Sequence, residues 1–381
     1  MKVMQVLPAM QGGGVERGTV EIATALNAKN IDNVVVSAGG RLVPELDKIG
    51  VKHITLDVGS KNPLKFIRNI FALRRIIRDE KVTIVHARSR VPAWVAHFAL
   101  KKCKDVHFIT TFHGRYGTKP AWLKIPYNRV MVSGDLVISI SNFISKHILS
   151  TYLIPEDKIR LVYRGADVDK FNAASVSVHQ IEDMIADWQL PVDKTVILMP
   201  GRLSRQKGHL VVLEALQKMR HKDVVCVFVG SDHGKGEYRK ELQTKIDALD
   251  DKTTVLLKEH CNNMPIAYMM SDIVLSASLY PEAFGRTIPE AQSMGRIVVG
   301  TNHGGATETI QDGKTGFLVP VGDADALAHK LDEIIDMPLE ARQKIASAAI
   351  ESVRENFSIQ KMCDKTLAIY RGLSSMKKGS K

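Results

Sequence analysis

The sequence has few cysteines and no long apolar run, and both absences exclude classes of protein. No stretch reaches the roughly 18 apolar residues that a membrane-spanning helix needs. The apolar run at Met1–Leu7 is too short for a signal peptide and is better interpreted as a first buried strand. We therefore expect a reducing, cytoplasmic location without a disulfide framework or zinc site. The four cysteines lack paired spacing: Cys103, Cys226, Cys261 and Cys363.

Two common phosphate-binding fingerprints are also absent. Glycines at Gly12–Gly14 follow the first predicted strand, yet they do not form Gly-x-Gly-x-x-Gly, and no acidic residue ends the second strand. The pair Gly18-Thr19 lacks the lysine of a P-loop. Dinucleotide and P-loop sites are thus excluded, although the glycines still let a ligand approach the backbone closely.

Positive charge is confined to one half of the chain. The net charge is +12 over 381 residues. Residues 1–170 hold 27 Lys and Arg against 14 Asp and Glu, whereas residues 171–381 hold 26 against 27. The first half therefore attracts polyanions such as nucleic acid, anionic lipid or a phosphorylated acceptor. Because no nucleic-acid motif or aromatic-interleaved basic patch accompanies the charge, we do not expect nucleic acid as a partner.

Short apolar runs alternate with amphipathic stretches such as Val15–Ala28 and Lys65–Arg78. This alternation predicts an α/β fold with parallel sheets and right-handed crossovers. Because the two halves repeat the same rhythm, we expect two doubly wound, Rossmann-like domains. After the first strand, the further strands are predicted at Val34–Ser37, Ile84–His86, Phe108–Thr111, Leu136–Ile140, Val196–Pro200, Val224–Gly230, Thr253–Leu257, Ile273–Ser276 and Ile297–Gly300.

The segment Pro281–Thr309 is the most informative part of the sequence. It predicts a loop, a helix, a strand and a second loop with the glycine pair Gly304-Gly305. Glu282 lies in the first loop, and Glu290 lies eight residues later, inside the helix. Between them, unpaired N–H groups at the helix start favour a phosphate. A ligand made of a sugar, a diphosphate and a ribose fits this order, because the first acid can bind the sugar, the helix start the diphosphate and the second acid the ribose.

This segment resembles the retaining glycosyltransferases of family 4, whose signature is two glutamates separated by seven residues. The resemblance extends from Gly12 to about Gly322 and implies the GT-B fold, with two Rossmann-like domains facing a central cleft. The expected domains are 1–170 for the acceptor, 171–356 for the nucleotide-sugar donor, and 357–381 as a helix crossing back to the first domain with a polar tail.

The resemblance also assigns roles to individual residues. His113 in Thr111-Phe112-His113-Gly114 matches the active-site histidine, and Glu282 positions the sugar. Retention is implied, with front-face attack through an oxocarbenium-like state. Arg202 and Lys207, in Gly-Arg-Leu…Lys-Gly, would neutralise the leaving diphosphate, which needs no metal or other cofactor. The expected donor-binding residues are Gly14, Arg202, Lys207, Gly285, Arg286, Thr287 and Glu290.

A narrower resemblance is to the bacterial lipopolysaccharide-core transferases of family 4. It implies a mannose- or glucose-type hexose, a lipid-linked saccharide acceptor and peripheral association with the anionic inner face of the cytoplasmic membrane. The basic helix Lys65–Arg78 fits this association, although such a helix also simply covers a sheet. The expected acceptor-binding residues, which lie in two segments of this resemblance, are Glu16, Arg17, Arg88 and Arg90.

Several alternatives remain at this point. The acceptor could belong to capsule or exopolysaccharide synthesis. A nucleotide-sugar epimerase and a glycan phosphorylase share the fold, but the first rarely has this glutamate spacing and the second needs a pyridoxal-phosphate lysine and a longer chain. Two Asp-x-Asp pairs, at Asp167–Asp169 and Asp323–Asp325, could suggest a metal. We assign the first to the interdomain connection and the second to a helix cap.

Overall fold

The computed structural model describes residues 1–191, 193–232, 234, 236–249, 253–259 and 261–376. The chain forms two compact units. Unit 1 comprises Met1–Tyr163 and Gln360–Lys381, and unit 2 comprises Arg164–Ile359. The sequence predicted the corresponding divisions at 170/171 and 356/357. No helix within the described residues is both long and apolar enough to cross a bilayer.

Unit 1 is built on a parallel sheet of seven strands, all within residues 1–163, which are described throughout. The strand order is β3-β2-β1-β4-β5-β6-β7. The order reverses between β1 and β4, which is the doubly wound pattern. The strands are β1 (Lys2–Val6), β2 (Asp32–Ser37), β3 (Lys52–Thr55), β4 (Ile84–Ala87), β5 (His107–Phe112), β6 (Leu136–Ser139) and β7 (Ile159–Leu161).

Helices connect these strands and cover the sheet. The longer helices bury apolar residues against it, as α1 does with Ile22, Ala23 and Leu26. In α3 the stripe is narrow, because Leu73 and Ile77 are buried whereas Ile67 and Phe71 are exposed. The helices of this part are α1 (Gly14–Ala28), α2 (Val43–Lys48), α3 (Pro63–Asp79), α4 (Arg90–Leu100), α5 (Ala121–Asn128) and α6 (Asn142–Tyr152).

Unit 2 repeats the plan with a six-stranded parallel sheet among its described residues. Its order is β10-β9-β8-β11-β12-β13, so the reversal lies between β8 and β11. Strand β9 is buried throughout, which explains its uninterrupted apolar sequence. The strands are β8 (Thr195–Pro200), β9 (Val224–Val229), β10 (Thr254–Lys258), β11 (Ile273–Ser276), β12 (Ile297–Thr301) and β13 (Phe317–Val319).

Two apolar clusters fill unit 2, one on each face of its sheet. One includes Ile197, Phe228 and Leu331, and the other includes Leu198 and Val298. The alternation of Ile197 and Leu198 between clusters follows from the two-residue period of a strand. The helices are α7 (Val178–Trp188), α8 (His209–Lys218), α9 (Glu237–Asp247), α10 (Met264–Met269), α11 (Thr287–Ser293), α12 (Ala306–Thr309), α13 (Ala324–Asp336) and α14 (Leu339–Asn356).

The last helix, α15 (Ile359–Ser375), completes unit 1. Tyr370 on this helix is fully buried, and its hydroxyl lies 2.7 Å from Nδ1 of His86 on β4. The other ring nitrogen of His86 lies 2.7 Å from the Thr111 hydroxyl. Burial, followed by the charge of Arg88, holds the pKa of His86 well below its ordinary value, so the ring is neutral at pH 7. The polar tail expected after this helix lies, from residue 377 onward, outside the described residues.

The predicted α/β class and the parallel order of its strands are confirmed. Every strand predicted from the sequence overlaps an observed strand. The edge strands β3, β7 and β13 were not predicted from the sequence, and neither was α7, which follows the expected division at 170/171. Edge strands are short and partly exposed, as the burial of β3 shows, so their apolar pattern is weak.

Candidate functional site

The carboxyl ends of β8 and β11 define a site in unit 2. Ligands of doubly wound sheets bind where the strand order reverses, because the connections leave on opposite sides and open a crevice. Strand β8 leads directly into Gly201 and Arg202, and β11 leads into the loop that carries Glu282. The topology therefore brings together residues such as Arg202 and Glu282, which are about 80 positions apart in the sequence.

A cavity of about 270 Å³ lies at the carboxyl ends of β8 and β9, against the start of α11. Three of the expected donor-binding residues line it: Arg202, Thr287 and Glu290. The cavity thus has mostly apolar walls with one carboxylate and one guanidinium among them, which is typical of sites for small polar ligands. The remaining lining residues are Pro200, Gly201, Val229, Gly230, Ser231, Cys261, Met264 and Tyr268.

Two glycines shape the floor of this cavity. A Cβ built on Gly230 would lie 1.8 Å from the carbonyl oxygen of Gly201, so any side chain there would push apart the loops after β8 and β9. Gly201 itself has φ +151°. These glycines permit a close backbone approach that leaves room for a ligand above it.

The expected diphosphate lysine and sugar-binding glutamate are in direct contact. Lys207 Nζ lies 2.6 Å from Oε1 of Glu282, and the Ser278 hydroxyl donates to the same oxygen at 2.6 Å. Burial alone would raise the pKa of Glu282, but Lys207, Ser278 and His303 outweigh it, so the pKa lies below its ordinary value. Glu282 is therefore an ionised carboxylate, and Lys207 is its cationic partner.

A glycine fixes the position of Lys207. The short 3-10 helix Arg205–Lys207 ends at Gly208, which has φ +81°. A Cβ there would lie 2.0 Å from the Ala277 carbonyl oxygen, so only glycine fits. The side chain of Lys207 then passes over Gly201, with its Cε 3.3 Å from where a Cβ of Gly201 would be. The ammonium group is thereby held beside the wall of the cavity.

The glycine pair Gly304-Gly305 supports the Glu282 loop from below. The N–H of Gly305 donates to the Glu282 carbonyl at 2.8 Å. A Cβ on Gly304 would lie 2.6 Å from that carbonyl oxygen, and one on Gly305 would lie 2.4 Å from Cα of Phe284. The pair therefore acts through packing, because two backbones meet where no side chain fits.

Glu290 lies on α11 with its carboxylate inside the cavity. Its Oε1 lies 3.4 Å from Nε of Arg286, and the Tyr268 hydroxyl donates to Oε2 at 3.4 Å. Burial, and then the nearby Glu290 charge, raise the pKa of Tyr268 well above its ordinary value, so the phenol keeps its proton. Helix α11 begins at Thr287, directly after Arg286 and after Gly285 with φ +80°. The expected anion-binding segment is thus the turn into this helix.

In unit 1 the expected residues have different environments. Gly14 is the first residue of α1, and a Cβ there would meet no atom within 4 Å, so packing within the unit does not require glycine. Glu16 lies in the first turn of the same helix. Arg17 is paired with Glu45 on α2, with Nη2 3.1 Å from Oε1 and a second contact between Nη1 and Oε2. His113 is partly buried and follows directly after β5.

Arg88 and Arg90, two of the arginines expected to contact the acceptor, differ in burial, since Arg90 is only partly buried. Arg88 is 3% exposed, and its Nε donates to Oε1 of Gln5 at 2.9 Å. Arg88 therefore belongs to the buried network of unit 1, and its assignment as an acceptor-binding residue remains a prediction. Arg90 begins α4, and its guanidinium donates to Asn128 at 3.1 Å.

Several site residues were not found from the sequence. Ser278 and His303 hold the Glu282 loop, since His303 Nε2 lies 2.8 Å from the Ser278 carbonyl oxygen. Tyr268 and Cys261 line the cavity. No motif marks these residues, because each reaches the site through the sheet topology. Among the described residues, no group of three or more His, Cys, Asp or Glu side chains could hold a metal ion.

Comparison with known proteins gives two family matches that together span most of the chain. Residues 12–170 match the family described as Glycosyltransferase Family 4. Residues 180–352 match the family described as Glycosyl transferases group 1. The boundary between the two matches falls close to the predicted domain division.

Individual proteins are similar over the whole length. A glycosyltransferase from Rickettsia africae ESF-5 is 39% identical, with 98% of each chain covered and a TM-score of 0.91. Anabaena HepE, solved with UDP and glucose, shares the fold at 22% identity, with 99% of this chain and 100% of that chain covered and a TM-score of 0.80. An Escherichia coli galactosyltransferase named for a GlcNAc-diphosphoundecaprenol acceptor is 24% identical, over 96% of this chain and 95% of its own. The chain therefore belongs to the family 4 glycosyltransferases of the GT-B fold.

Proposed function

We propose that this enzyme transfers a hexose of mannose or glucose type, with retention, from a nucleotide-diphosphate sugar to a glycolipid of the cell envelope. The unit 2 cavity, with Arg202, Thr287 and Glu290 on its walls and the Lys207–Glu282 pair beside it, carries this proposal. HepE, which was solved with UDP and glucose, supports a nucleotide-sugar donor. The acceptor class follows the resemblance to lipopolysaccharide-core transferases, and capsule or exopolysaccharide glycolipids are the alternative.

Each residue has a distinct task in this reaction. Glu290 accepts hydrogen bonds from the ribose hydroxyls, and the turn Gly285–Thr287 faces the phosphates. Arg202 and Lys207 stabilise the charge that develops on the leaving diphosphate, which is where an electrostatic site lowers the barrier most. Glu282 orients the sugar hydroxyls, and His113 of unit 1 hydrogen-bonds the transferred sugar. Catalysis then depends on orientation and leaving-group stabilisation without a covalent enzyme intermediate.

A donor screen tests the assignment. Purified protein is incubated with a panel of nucleotide-diphosphate sugars and an envelope glycolipid extract, and released nucleotide diphosphate is measured. Release that depends on both donor and acceptor supports a transferase. Conversion of the donor to another sugar nucleotide without any acceptor would instead indicate an epimerase.

Activity is expected to survive a chelator. Two cations, Arg202 and Lys207, already face the proposed diphosphate, so a divalent ion has no charge left to neutralise there. The measurement is the initial rate in EDTA against the rate in added magnesium or manganese. Complete loss in EDTA with recovery on adding either metal would contradict the proposal.

We also propose peripheral association with the inner face of the cytoplasmic membrane through unit 1. Helix α3 and helix α5 expose large apolar side chains: Leu64 by 73%, Ile67 by 52%, Phe71 by 61% and Trp122 by 78%. Four cationic side chains on α3 are exposed beside them. An exposed surface that mixes apolar and basic groups suits the interface of an anionic bilayer. The exposed cations are Lys65, Arg68, Arg75 and Arg78.

Replacing these four cations with glutamine is expected to lower the partition coefficient onto anionic vesicles by about 10²–10³-fold, because each cation near such a surface contributes about 1 kcal/mol and each 1.4 kcal/mol is a factor of ten. Binding should also weaken as salt rises, since the Debye length is only about 8 Å at physiological ionic strength. Arg74 is left unchanged because it donates to the Phe98 and Ala99 carbonyls at the end of α4.

The control for this experiment neutralises four exposed lysines of unit 2 instead. Equal binding of both variants, or equal binding to neutral and anionic vesicles, would show that the basic face of α3 serves another purpose. The control lysines are Lys240, Lys245, Lys314 and Lys344.

A further inference from the structure

Unit 1 has a cavity of its own at the reversal of its strand order. It measures about 530 Å³ and lies beside Pro8, which follows β1, and beside Ser89 and Arg90, which follow β4. Ligands of doubly wound sheets bind at such a place, because the connections that leave the two strands diverge there.

Three cationic side chains line this cavity: Lys61, Arg90 and Lys124. Within the part of the chain that the structure describes, none of the three has a carboxylate within 4 Å. Some other cations of the unit are paired with a carboxylate, as Lys2 is with Glu80 at 2.7 Å. Three uncompensated charges around one cavity make a site for an anion.

Arg90 is held in place for such a role. Its guanidinium donates to Asn128 at 3.1 Å and lies 4.5 Å from the centroid of the Tyr116 ring, which provides a cation–π contact. A fixed guanidinium loses little freedom when it binds a phosphate, and its planar fork matches phosphate oxygens.

An apolar groove of about 540 Å³ adjoins the cavity and shares Lys61, Val91 and Tyr127 with it. Its other walls include Phe66 and Trp94. Trp94 is fixed, because its indole N–H donates to the Tyr127 carbonyl at 2.9 Å and its ring stacks on Phe98 at 5.5 Å. The two spaces therefore place an anion site and a hydrocarbon site side by side.

We propose that this double site binds an acceptor lipid whose phosphate or diphosphate is attached directly to its hydrocarbon chain. The anion occupies the cationic cavity and the first part of the chain lies in the groove. A lipid whose phosphates are separated from its chains by several sugars could not fill both spaces at once. This inference rests on the proposed glycolipid acceptor and selects one class among the acceptor glycolipids named above.

The test uses prenyl diphosphates of increasing length as soluble probes, titrated by calorimetry in the absence of vesicles. Farnesyl diphosphate should bind more tightly than both inorganic diphosphate and farnesol. Affinity should rise from dimethylallyl to geranyl to farnesyl diphosphate, by up to about fourfold for each additional methylene that is buried. Equal affinity for inorganic and farnesyl diphosphate, or for farnesol and farnesyl diphosphate, would overturn the proposal.

Variants locate the binding. Lys61→Glu combined with Lys124→Glu should weaken farnesyl diphosphate binding by about tenfold or more, because charge-assisted hydrogen bonds are replaced by repulsion. Lys146→Glu, an exposed charge change on α6, is the matched control and should have no effect. Equal loss in both variants, or no loss in the first, would contradict the assignment.

A second titration separates this proposal from the proposed function. Lys207→Ala should leave farnesyl diphosphate binding unchanged, and the Lys61 and Lys124 variant should keep its affinity for the donor found in the screen. Loss of prenyl diphosphate binding in Lys207→Ala would place the probe in the unit 2 cavity and overturn the inference. If no donor binds at all, the proposed transferase reaction is wrong, whereas the titration with prenyl diphosphates still decides whether unit 1 binds a lipid of this class.

Discussion

Replacing Lys207 with alanine is expected to lower kcat by about 10²–10³-fold at saturating donor, the range found when one preorganised donor to a developing charge is removed. The loss belongs to kcat because the ammonium acts mostly as the diphosphate departs. Single-turnover rates with the best donor of the screen give the measurement.

Arg205 offers a matched control for this variant. It lies two residues before Lys207 in the same 3-10 helix, but it is exposed and paired with Glu241 at 2.7 Å. Arg205→Ala should therefore keep near-normal kcat. Similar losses in both variants would point to the local fold of the loop, and near-normal turnover in Lys207→Ala would remove Lys207 from the leaving-group role.

The pH profile gives an independent check. In the intact protein, Lys207 helps to hold the pKa of Glu282 below its ordinary value of 4.5 despite burial. Because the folded pKa is lowered, the stabilisation from this ionised carboxylate is present above that ordinary value and is lost as pH falls through the folded pKa. Without Lys207, burial dominates and the pKa rises. The acid limb of activity should then move to higher pH, whereas the stability that a raised pKa contributes is present below the ordinary value and is lost as pH rises through the folded pKa.

Glu290→Ala is expected to weaken donor binding by about 10- to 150-fold. A hydrogen bond to a charged group contributes roughly 1.5–3 kcal/mol, and each 1.4 kcal/mol is a factor of ten in affinity. Calorimetric titration of the donor provides the dissociation constant. Since kcat at saturation depends less on ribose contacts, it should fall much less than it does in Lys207→Ala.

Two further variants sharpen the result for Glu290. Glu241→Ala removes another acid of unit 2, one that pairs with Arg205 and does not line the cavity, so its donor affinity should be unchanged. Glu290→Gln keeps the shape and one acceptor oxygen, and should fall between the wild type and alanine. A donor affinity that is unaltered in Glu290→Ala would exclude this carboxylate from the site.

The central strands and the glutamate segment could be predicted because their signals are local. Strand β9 is an uninterrupted apolar run, because both faces of the sheet are buried there. The pair Gly304-Gly305 is visible in the sequence because a side chain at either position would clash with the backbone of the Glu282 loop. Helix α7 also had a local signal that was missed. Ser177 and Gln180 form a capping box at its start, a pattern visible in the sequence.

The contacts of the site could not be predicted, because they join distant parts of the chain. Lys207 and Glu282 are 75 residues apart, and the sequence assigned them to different parts of the ligand, the diphosphate and the sugar. Arg88 and Arg90 are neighbours in one basic segment, yet only the pleat of β4 and the start of α4 decide that one is buried and the other lines a cavity. The roles proposed for His113 and for the donor-binding residues remain predictions.

The contact between His86 and Tyr370 has a consequence for synthesis of the protein. The two residues are 284 positions apart, and the whole of unit 2 lies between them in the sequence. At about 5–20 residues per second, a ribosome needs roughly 15–60 s to make that stretch. Unit 2 is continuous and can fold during this interval. The part of unit 1 around His86 and Arg88 therefore stays uncovered by α15 until that helix has been made.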